Sequence, residues 1–289
     1  MESSQKTGLV LEGGGVRGIY TAGILDVFME HDLTFDGVIG VSAGAIHGCS
    51  YLSGQKGRSL RYYKKYCTDP RFMGLRSWLT TGNIFGEQFA YHDLPEKLDP
   101  YDYEAFSRCG IPFYAACTNI KTGQAEYLQV TDMLGEIDII RASASLPYFS
   151  RLVPIRGENY LDGGCADAIP LKAFENMGYG RNVVILTRPA EYVKKPELPA
   201  LAPIVYGRYP AFVRTLKHRH DLYNEAAAYV RQQEATGAAF VVRPEKPLVI
   251  DRLETDPYKV QQVYDAGRTD ALKALPDLMA WRKENDHEN

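Results

Sequence analysis

The sequence predicts an α/β protein built on a mostly parallel central sheet, with a helical insertion after the second strand. Three observations carry that expectation. Short β-branched runs alternate with segments of helical period along most of the chain, the pattern that strand–helix–strand units write into a sequence. Glycine-rich turns follow the first two predicted strands, at Gly13-Gly14-Gly15-Val16-Arg17-Gly18 and at Gly40-Val41-Ser42-Ala43-Gly44. Residues 54–110 then break the alternation: they are rich in Tyr, Arg and Lys, are punctuated by Gly and Pro, and hold no clear strand.

In order, the first strand is 7–11. The helix 19–30 follows, with Ile19, Ala22, Ile24, Leu25, Phe28 and Met29 at helical spacing. The second strand is 37–41, and a helix begins at Ala43. After the insertion, strands resume at 113–118 and 125–130. A helix over 133–145 stops before Pro147, because proline restricts the residue ahead of it. Residues 152–155 and 160–161 suggest a hairpin ending at Asp162. The run 182–187, NVVILT, reads as a buried strand. A long helix over 209–236, a last strand over 239–243 and a closing helix over 257–283 complete one expected domain, 1–289.

Composition narrows the function classes. The chain has 289 residues, a net charge of −3 and an ordinary 45% hydrophobic content, so no global charge calls for nucleic acid. The five cysteines, Cys49, Cys67, Cys109, Cys117 and Cys165, are odd in number and form no CxxC pair. That argues against a disulfide framework or a zinc site and fits a reducing, cytoplasmic setting. The amino terminus lacks a basic segment followed by an apolar one, so no signal peptide is expected. No apolar run approaches the roughly 20 residues a spanning helix needs. Any membrane contact is expected to be peripheral.

Gly40-Val41-Ser42-Ala43-Gly44 matches G-x-S-x-G. A strand that turns sharply into a helix presents the serine at the sheet's carboxyl edge in a strained conformation, with its hydroxyl available. The backbones crowd two positions before and after, so Gly40 and Gly44 are the residues such an elbow needs. The bland reading is a Gly/Ser turn.

The loop Gly13–Gly18 also satisfies G-x-G-x-x-G, which invites a dinucleotide-binding reading with Asp36 as the ribose acid. However, that acid should end the second strand, where Val41-Ser42 stands, and Asp36 precedes the strand. Consecutive glycines also leave several N–H groups able to converge on one oxygen, as an oxyanion hole requires. Arg17 could add a cationic contact or simply pair with an acid.

A nucleophilic serine needs a proton acceptor. Of the six histidines, His31 ends a helix and His47 lies one turn beyond Ser42, with its ring expected to point away. His92 sits in the insertion, His218 and His220 in a basic helical face, and His287 in a polar tail. Asp162 is the stronger candidate: it follows a short strand and precedes Gly163-Gly164, at the strand end where α/β sheets place ligands. An aspartate is a weak base unless desolvated and held on the hydroxyl. Equally, Asp-Gly-Gly is ordinary turn chemistry.

Together these motifs resemble the patatin-like phospholipase family, which carries a G-G-G-x-R-G loop, a G-x-S-x-G elbow and a D-G-A or D-G-G aspartate in this order. Residues 142–147, Phe149, Pro154 and 167–170 are similar too, and the tail from Leu253 through Tyr264 and Gly267 resembles a bacterial subgroup. Glu12 departs from the pattern, because an aspartate often precedes the glycines. The resemblance implies a three-layer α/β/α fold and a Ser42–Asp162 dyad. It implies an oxyanion hole from the loop Gly13, Gly14 and Gly15 with Arg17, supported by Gly18, Gly40, Gly44, Gly163 and Gly164. It implies neither metal nor organic cofactor, and a lipid or other acyl-ester substrate. The alternatives are a catalytically inactive lipid-binding or regulatory module and a dinucleotide-dependent oxidoreductase.

The stretch 56–76 interleaves Lys56, Arg58, Arg61, Lys64, Lys65, Arg71 and Arg76 with Tyr62, Tyr63, Tyr66 and Phe72, followed by Trp78. Two readings stand: a surface for anionic lipid, or a solvated cap helix with tyrosines packed beneath.

Overall fold

The computed structural model describes residues 5–196 and 200–283. The chain begins with β1 (Thr7–Leu11), α1 (Ile19–Glu30), β2 (Gly37–Val41) and α2 (Ala43–Leu52). Helices α3 (Arg58–Tyr66) and α4 (Leu75–Thr81), a π-helical segment (Phe89–Leu98) and α5 (Tyr103–Cys109) follow. Next come β3 (Phe113–Asn119), β4 (Ala125–Val130), α6 (Ile137–Ser143), β5 (Val153–Ile155) and β6 (Glu158–Asp162). The remainder is α7 (Leu171–Asn176), β7 (Arg181–Ile185), α8 (Ala202–Val205), α9 (Pro210–Ala235), β8 (Ala239–Val242) and α10 (Pro257–Lys283).

The strands form one sheet ordered β5-β6-β3-β2-β1-β7-β8, with β4 also paired to β3. The pairs β3–β2, β2–β1, β1–β7 and β7–β8 are parallel. β1 and β2 are nearly continuous apolar runs because helices cover both faces. Leu9 and Leu11 point into a core shared with α1, α2 and α10, while Val10 points into a second core with α7 and α9. That alternation produces three layers, α/β/α.

β3 organises the site. β4 pairs antiparallel along Phe113 to Thr118 and so occupies one edge. On the other edge, β2 pairs parallel up to Val41 opposite Ala116, and β6 pairs antiparallel, ending with Asp162 opposite Cys117. Two strands running in opposite directions therefore meet carboxyl end to carboxyl end on neighbouring rows of β3. The residue after β2 is Ser42, and the residue ending β6 is Asp162.

Helix α1 is buried on almost every side, beyond the single apolar face its spacing predicts. The reason is α10, which crosses its outer surface so closely that a Cβ on Gly23 would lie 2.2 Å from Tyr264 O, and one on Gly267 would lie 2.1 Å from Tyr20 O. The crossing is fastened by Tyr20 Oη–Asp270 at 2.7 Å, by Tyr264 with buried Asp26, and by a two-pronged Arg268–Glu30 pair.

The expected helix 133–145 is shortened to Ile137–Ser143. Side chains take the backbone groups that a longer helix would use: Glu136 accepts from Thr131 N at 2.8 Å and Asp132 accepts from Leu134 N at 3.1 Å. The strand expected at 182–187 is observed at Arg181–Ile185. Thr187 N turns instead to the Glu12 carboxylate.

Candidate active site

Ser42 sits at the β2–α2 turn with φ +52° and ψ −118°, outside the regions ordinary L-residues favour. Such a conformation costs about 1–3 kcal/mol and persists only where the surroundings impose it. They do so here. A Cβ on Gly44 would lie 2.5 Å from Leu11 O, and one on Gly40 would lie 2.6 Å from Ala45 N, so neither position admits a side chain. The buried Ser143 hydroxyl accepts from Ser42 N at 2.9 Å and donates to Ala116 O at 2.7 Å. It thereby serves two backbone groups at the break between β2 and β6.

Asp162 is 2% exposed and Ser42 is 7% exposed. The Ser42 hydroxyl lies close enough to the Asp162 carboxylate to lower its pKa, and Gly164 N donates to Asp162 Oδ1 at 2.8 Å. The aspartate's backbone is pinned by Asp162 N to Ser145 O and by Thr118 Oγ1 to Asp162 O, both 2.8 Å. Gly163 must be glycine, because a Cβ there would stand 2.1 Å from Ala116 O. Burial raises the Asp162 pKa above the usual carboxylate range, opposed by Arg219 and by the Ser42 and Gly164 hydrogen bonds. The result is a carboxylate more basic than one in water.

The glycine loop lies against this pair. A Cβ on Gly18 would come 2.4 Å from Ala43 Cβ, so loop and elbow helix touch directly. Gly13, grouped with the oxyanion donors on sequence grounds, needs correction: its N–H donates to Ala168 O at 3.3 Å. Val16 N is likewise engaged by Arg252 O at 3.4 Å. Among the described residues the N–H groups of Gly14 and Gly15 have no hydrogen-bond partner, which leaves them as the two available donors. Arg17 is partly buried, and its Nε has no hydrogen-bond partner.

Glu12, directly before the glycines, is 1% exposed. Its carboxylate accepts from Tyr223 Oη at 2.7 Å and from Thr187 Oγ1 at 3.0 Å, as well as from Thr187 N. Burial raises its pKa despite these donors. The network ties the loop to the end of β7 and to α9. Asp36 is on the opposite side of the sheet: it accepts from Thr7 N at 2.7 Å, at the amino end of β1. The glycine loop leaves the far end, roughly 16 Å away at a rise of about 3.3 Å per residue. Asp36 therefore cannot act as a ribose acid beside that loop.

His47 differs from its expected placement. Its ring is buried, Nδ1 lies 3.0 Å from Ser59 Oγ, and it lines the same cavity as Ser42. Burial lowers its pKa to about 4, so it is a neutral ring at pH 7. The aspartate occupies the place beside the hydroxyl. His92 and His218 pair with surface acids, and His287 lies outside the described residues.

From Ser42 a cavity of about 1040 Å³, counting its open mouth, runs beneath α3 and the π-helical segment. Ile46, Phe72, Phe85, Leu94, Met133 and Ile140 supply much of its apolar wall. The basic–aromatic stretch 56–76 divides accordingly. Tyr62, Tyr63, Tyr66 and Phe72 pack inward. Arg58 is buried between the Tyr62 and Tyr101 rings and pairs with Asp99, which also holds Arg61. Among the described residues no group of three or more His, Cys, Asp or Glu side chains is placed to hold a metal ion.

Sequence reasoning missed Ser143 as the prop of the elbow, the Glu12 network, and the approach of Arg219 and Arg252 to Asp162. Ser143 was visible as part of a serine- and alanine-rich run before the aspartate. The two arginines come from distant segments and left no local signal.

A family model for patatin-like phospholipase matches residues 9–175, more than half of the chain, and one for a domain of unknown function (DUF6363) matches residues 209–283. The uncharacterized protein YjjU of Escherichia coli K12 is 29% identical over 267 residues, covering 90% of this chain and 74% of that protein. Lysophospholipase NTE1 of Eremothecium gossypii is 27% identical over 231 residues, covering 70% of this chain and 15% of that much longer protein. Among solved structures, VipD from Legionella pneumophila aligns with a TM-score of 0.45 at 10% identity, over 95% of this chain and 67% of that one. The three ordered motifs and the family match agree, and the chain belongs to the patatin-like phospholipase family, hydrolases that act on ester bonds.

Proposed function

We propose that this protein cleaves lipid acyl esters through a Ser42–Asp162 dyad and a covalent acyl-enzyme. The observation that carries the reading is the Ser42 hydroxyl set beside a buried carboxylate, with Ser42 lining an apolar cavity. Asp162 takes the hydroxyl proton as Ser42 Oγ attacks the acyl carbonyl. The tetrahedral oxyanion is met by the N–H groups of Gly14 and Gly15, and by that of Ala43 at the start of α2, where the first-turn amides have no partner within the helix. Protonated Asp162 returns its proton to the departing alcohol. A water deprotonated by the same carboxylate then releases the fatty acid and restores the serine. The acyl chain lies in the cavity, with the segment between α2 and β3 as its cap inside a single domain. Lysophospholipids, named in the NTE1 relatives, fit this layout with one chain to accommodate.

We further assign the exposed apolar side chains Leu75, Trp78, Leu79 and Phe149 to peripheral contact with a lipid surface. The Trp78 and Phe149 rings meet at a tilt of 55° with centroids 6.4 Å apart, and Phe149 O accepts from Ile84 N next to cavity-lining Phe85. No helix among the described residues is long and apolar enough to cross a membrane. The five cysteines are free, which suits a reducing, cytoplasmic compartment.

The test is hydrolysis of a p-nitrophenyl acyl ester, with fluorophosphonate labelling of the serine. Ser42→Ala loses both signals, and Asp162→Asn loses turnover while melting cooperatively. Full turnover in either folded variant removes that residue from the mechanism. For the surface, Leu79→Asp with Phe149→Asp lowers flotation on anionic liposomes; unchanged flotation ends that assignment.

A further inference from the structure

One stripe of α9 reaches both halves of the site. Thr215, Arg219 and Tyr223 stand four residues apart, so their side chains leave the same face of the helix one turn after another. Each donates to a different segment. Thr215 Oγ1 donates to Gly123 O at 2.6 Å, in the turn between β3 and β4. Arg219 Nε donates to Gly164 O at 2.8 Å, in the Asp-Gly-Gly turn. Tyr223 Oη donates to Glu12 at 2.7 Å, directly before the glycine loop. Buried Phe212, Leu216 and Val230 seat the helix itself. It is also the first element of the stretch that matches the domain of unknown function, 209–283.

The middle donor bears on the base. Gly164 is held from both sides: its N–H donates to Asp162 Oδ1 at 2.8 Å, while its carbonyl accepts from Arg219. A Cβ built on Gly164 would stand 3.0 Å from Asp162 Oδ1 and 3.7 Å from Arg219 Nη2, so those two atoms lie within about 7 Å of each other. A guanidinium at that range from a carboxylate only 2% exposed favours its ionised form. Arg219 is half-buried and lies outside the cavity lining, so it does not meet the acyl chain. Other groups also act on Asp162. Cys117 on β3, Cys165 beyond the turn and Tyr91 in the π-helical segment are kept protonated by burial, which raises their pKa values. Arg252, from the segment before α10, is a second cation. Of the two arginines, Arg219 is the one bonded to the turn that carries the base.

We propose that Arg219 is a positioning residue for the base: it holds the Asp-Gly-Gly turn and supplies the cation opposite the Asp162 carboxylate, so that the stretch 209–283 completes the catalytic site. This rests on the Ser42–Asp162 reading above and assigns part of the machinery to that stretch. A protonated Asp162 cannot take the Ser42 proton, and burial favours the protonated form. The guanidinium opposes burial without touching the substrate. Tyr223, one turn further on, steadies the glycine loop through Glu12 from the same helix. Base and oxyanion donors thus share one support, and a shift of α9 disturbs both together.

Two measurements on the full chain test it. The first is the pH dependence of kcat/KM for a p-nitrophenyl acyl ester, whose acid limb reports the base of the free enzyme. Arg219→Gln and Arg219→Met both remove the cation, and either serves if it melts cooperatively. The limb moves up by about one pH unit, and kcat on the plateau falls roughly tenfold with KM unchanged. Arg219→Lys keeps a charge and a donor and holds the limb at its wild-type position. Thr215→Ala removes the neighbouring tie on the same helix and leaves the limb in place. The second measurement needs no turnover. The Asp162 carboxyl carbon is followed by carbon NMR, identified by its absence from Asp162→Asn, and its titration midpoint rises in the neutral variants as the limb does. An unchanged midpoint or an unchanged limb in a folded neutral variant overturns the assignment, and so does a limb that moves as far in Thr215→Ala. If the wild type neither cleaves the ester nor takes fluorophosphonate at Ser42, it is the hydrolase reading that fails, and the carbon titration still decides the role of Arg219.

Discussion

Replacing Ser143 by alanine removes one oxygen and no packing of consequence, yet it strikes the point where two strands abut. The hydroxyl accepts from Ser42 N at 2.9 Å and donates to Ala116 O at 2.7 Å, and Ser143 is fully buried. Without it, a buried donor and a buried acceptor lose their partner together. Each orphaned group costs about 1–3 kcal/mol, so the variant loses roughly 2–4 kcal/mol of stability, allowing for partial relaxation. For a protein of this size that corresponds to a melting shift of about 5–10 °C. Activity falls by more than stability alone accounts for, because Ser42 is held at a positive φ that the missing bond helps to impose. The assay pairs urea unfolding with initial rates well below the transition. Thr269→Ala is the control: its hydroxyl bonds only its own helix on an exposed face, and the change stays within about 0.5 kcal/mol. A Ser143→Ala protein with wild-type stability and turnover refutes the role given to this hydroxyl.

Four other outcomes follow from the same physics. Gly267→Ala gains about 1 kcal/mol of intrinsic helix preference but drives a Cβ to 2.1 Å from Tyr20 O; forced separation of α1 and α10 leaves it less stable by about 1–3 kcal/mol, and a stabilised variant in urea melts contradicts the close crossing. Asp162 has a raised pKa from burial, so in the folded protein it holds its proton above the unfolded value near 3.9. Its contribution to stability is present below that value and is lost as pH rises through the folded pKa; Asp162→Asn therefore gains on wild type with rising pH, and a gain that shrinks is the opposing result. Turnover by wild type rises with pH through that same titration, since only the ionised carboxylate accepts the Ser42 proton. Tyr223→Phe strips one donor from buried Glu12, costing about 1–3 kcal/mol and slowing turnover through the loosened glycine loop; equal rates show that the network is not needed to hold the loop.

Much of this fold was legible because its central strands are covered on both faces. β1, α1 and β2 fall at their expected residues, each marked by an apolar run or a 3.6-residue spacing bounded by glycine, and β4 does so as a half-exposed strand. The elbow and the Asp-Gly-Gly turn were readable for a related reason: glycine is demanded wherever backbones approach to 2–3 Å, as at Gly44 and Gly163. The segment between α2 and β3 was opaque beyond its helical character, since its residues are chosen to line a cavity rather than to follow one period. His47 was misjudged because helical geometry gives a direction but not the partner, Ser59, that draws the ring to the cavity.

The meeting of β2 and β6 on one edge of β3 makes that strand a ruler. Val41 is set by Ala116 and Asp162 by Cys117, so the distance between the reacting groups is fixed by two consecutive residues of a third strand. None of the 119 residues between Ser42 and Asp162 enters that measurement except the few that pair or prop. Lengthening the loops in this interval adds only a slowly growing closure entropy, and it leaves the two side chains in register. One residue inserted between Ala116 and Cys117 separates them by a full strand step, about 3.3 Å. Loop length here is thus free to drift under selection for new substrates, while the seam on β3 is not.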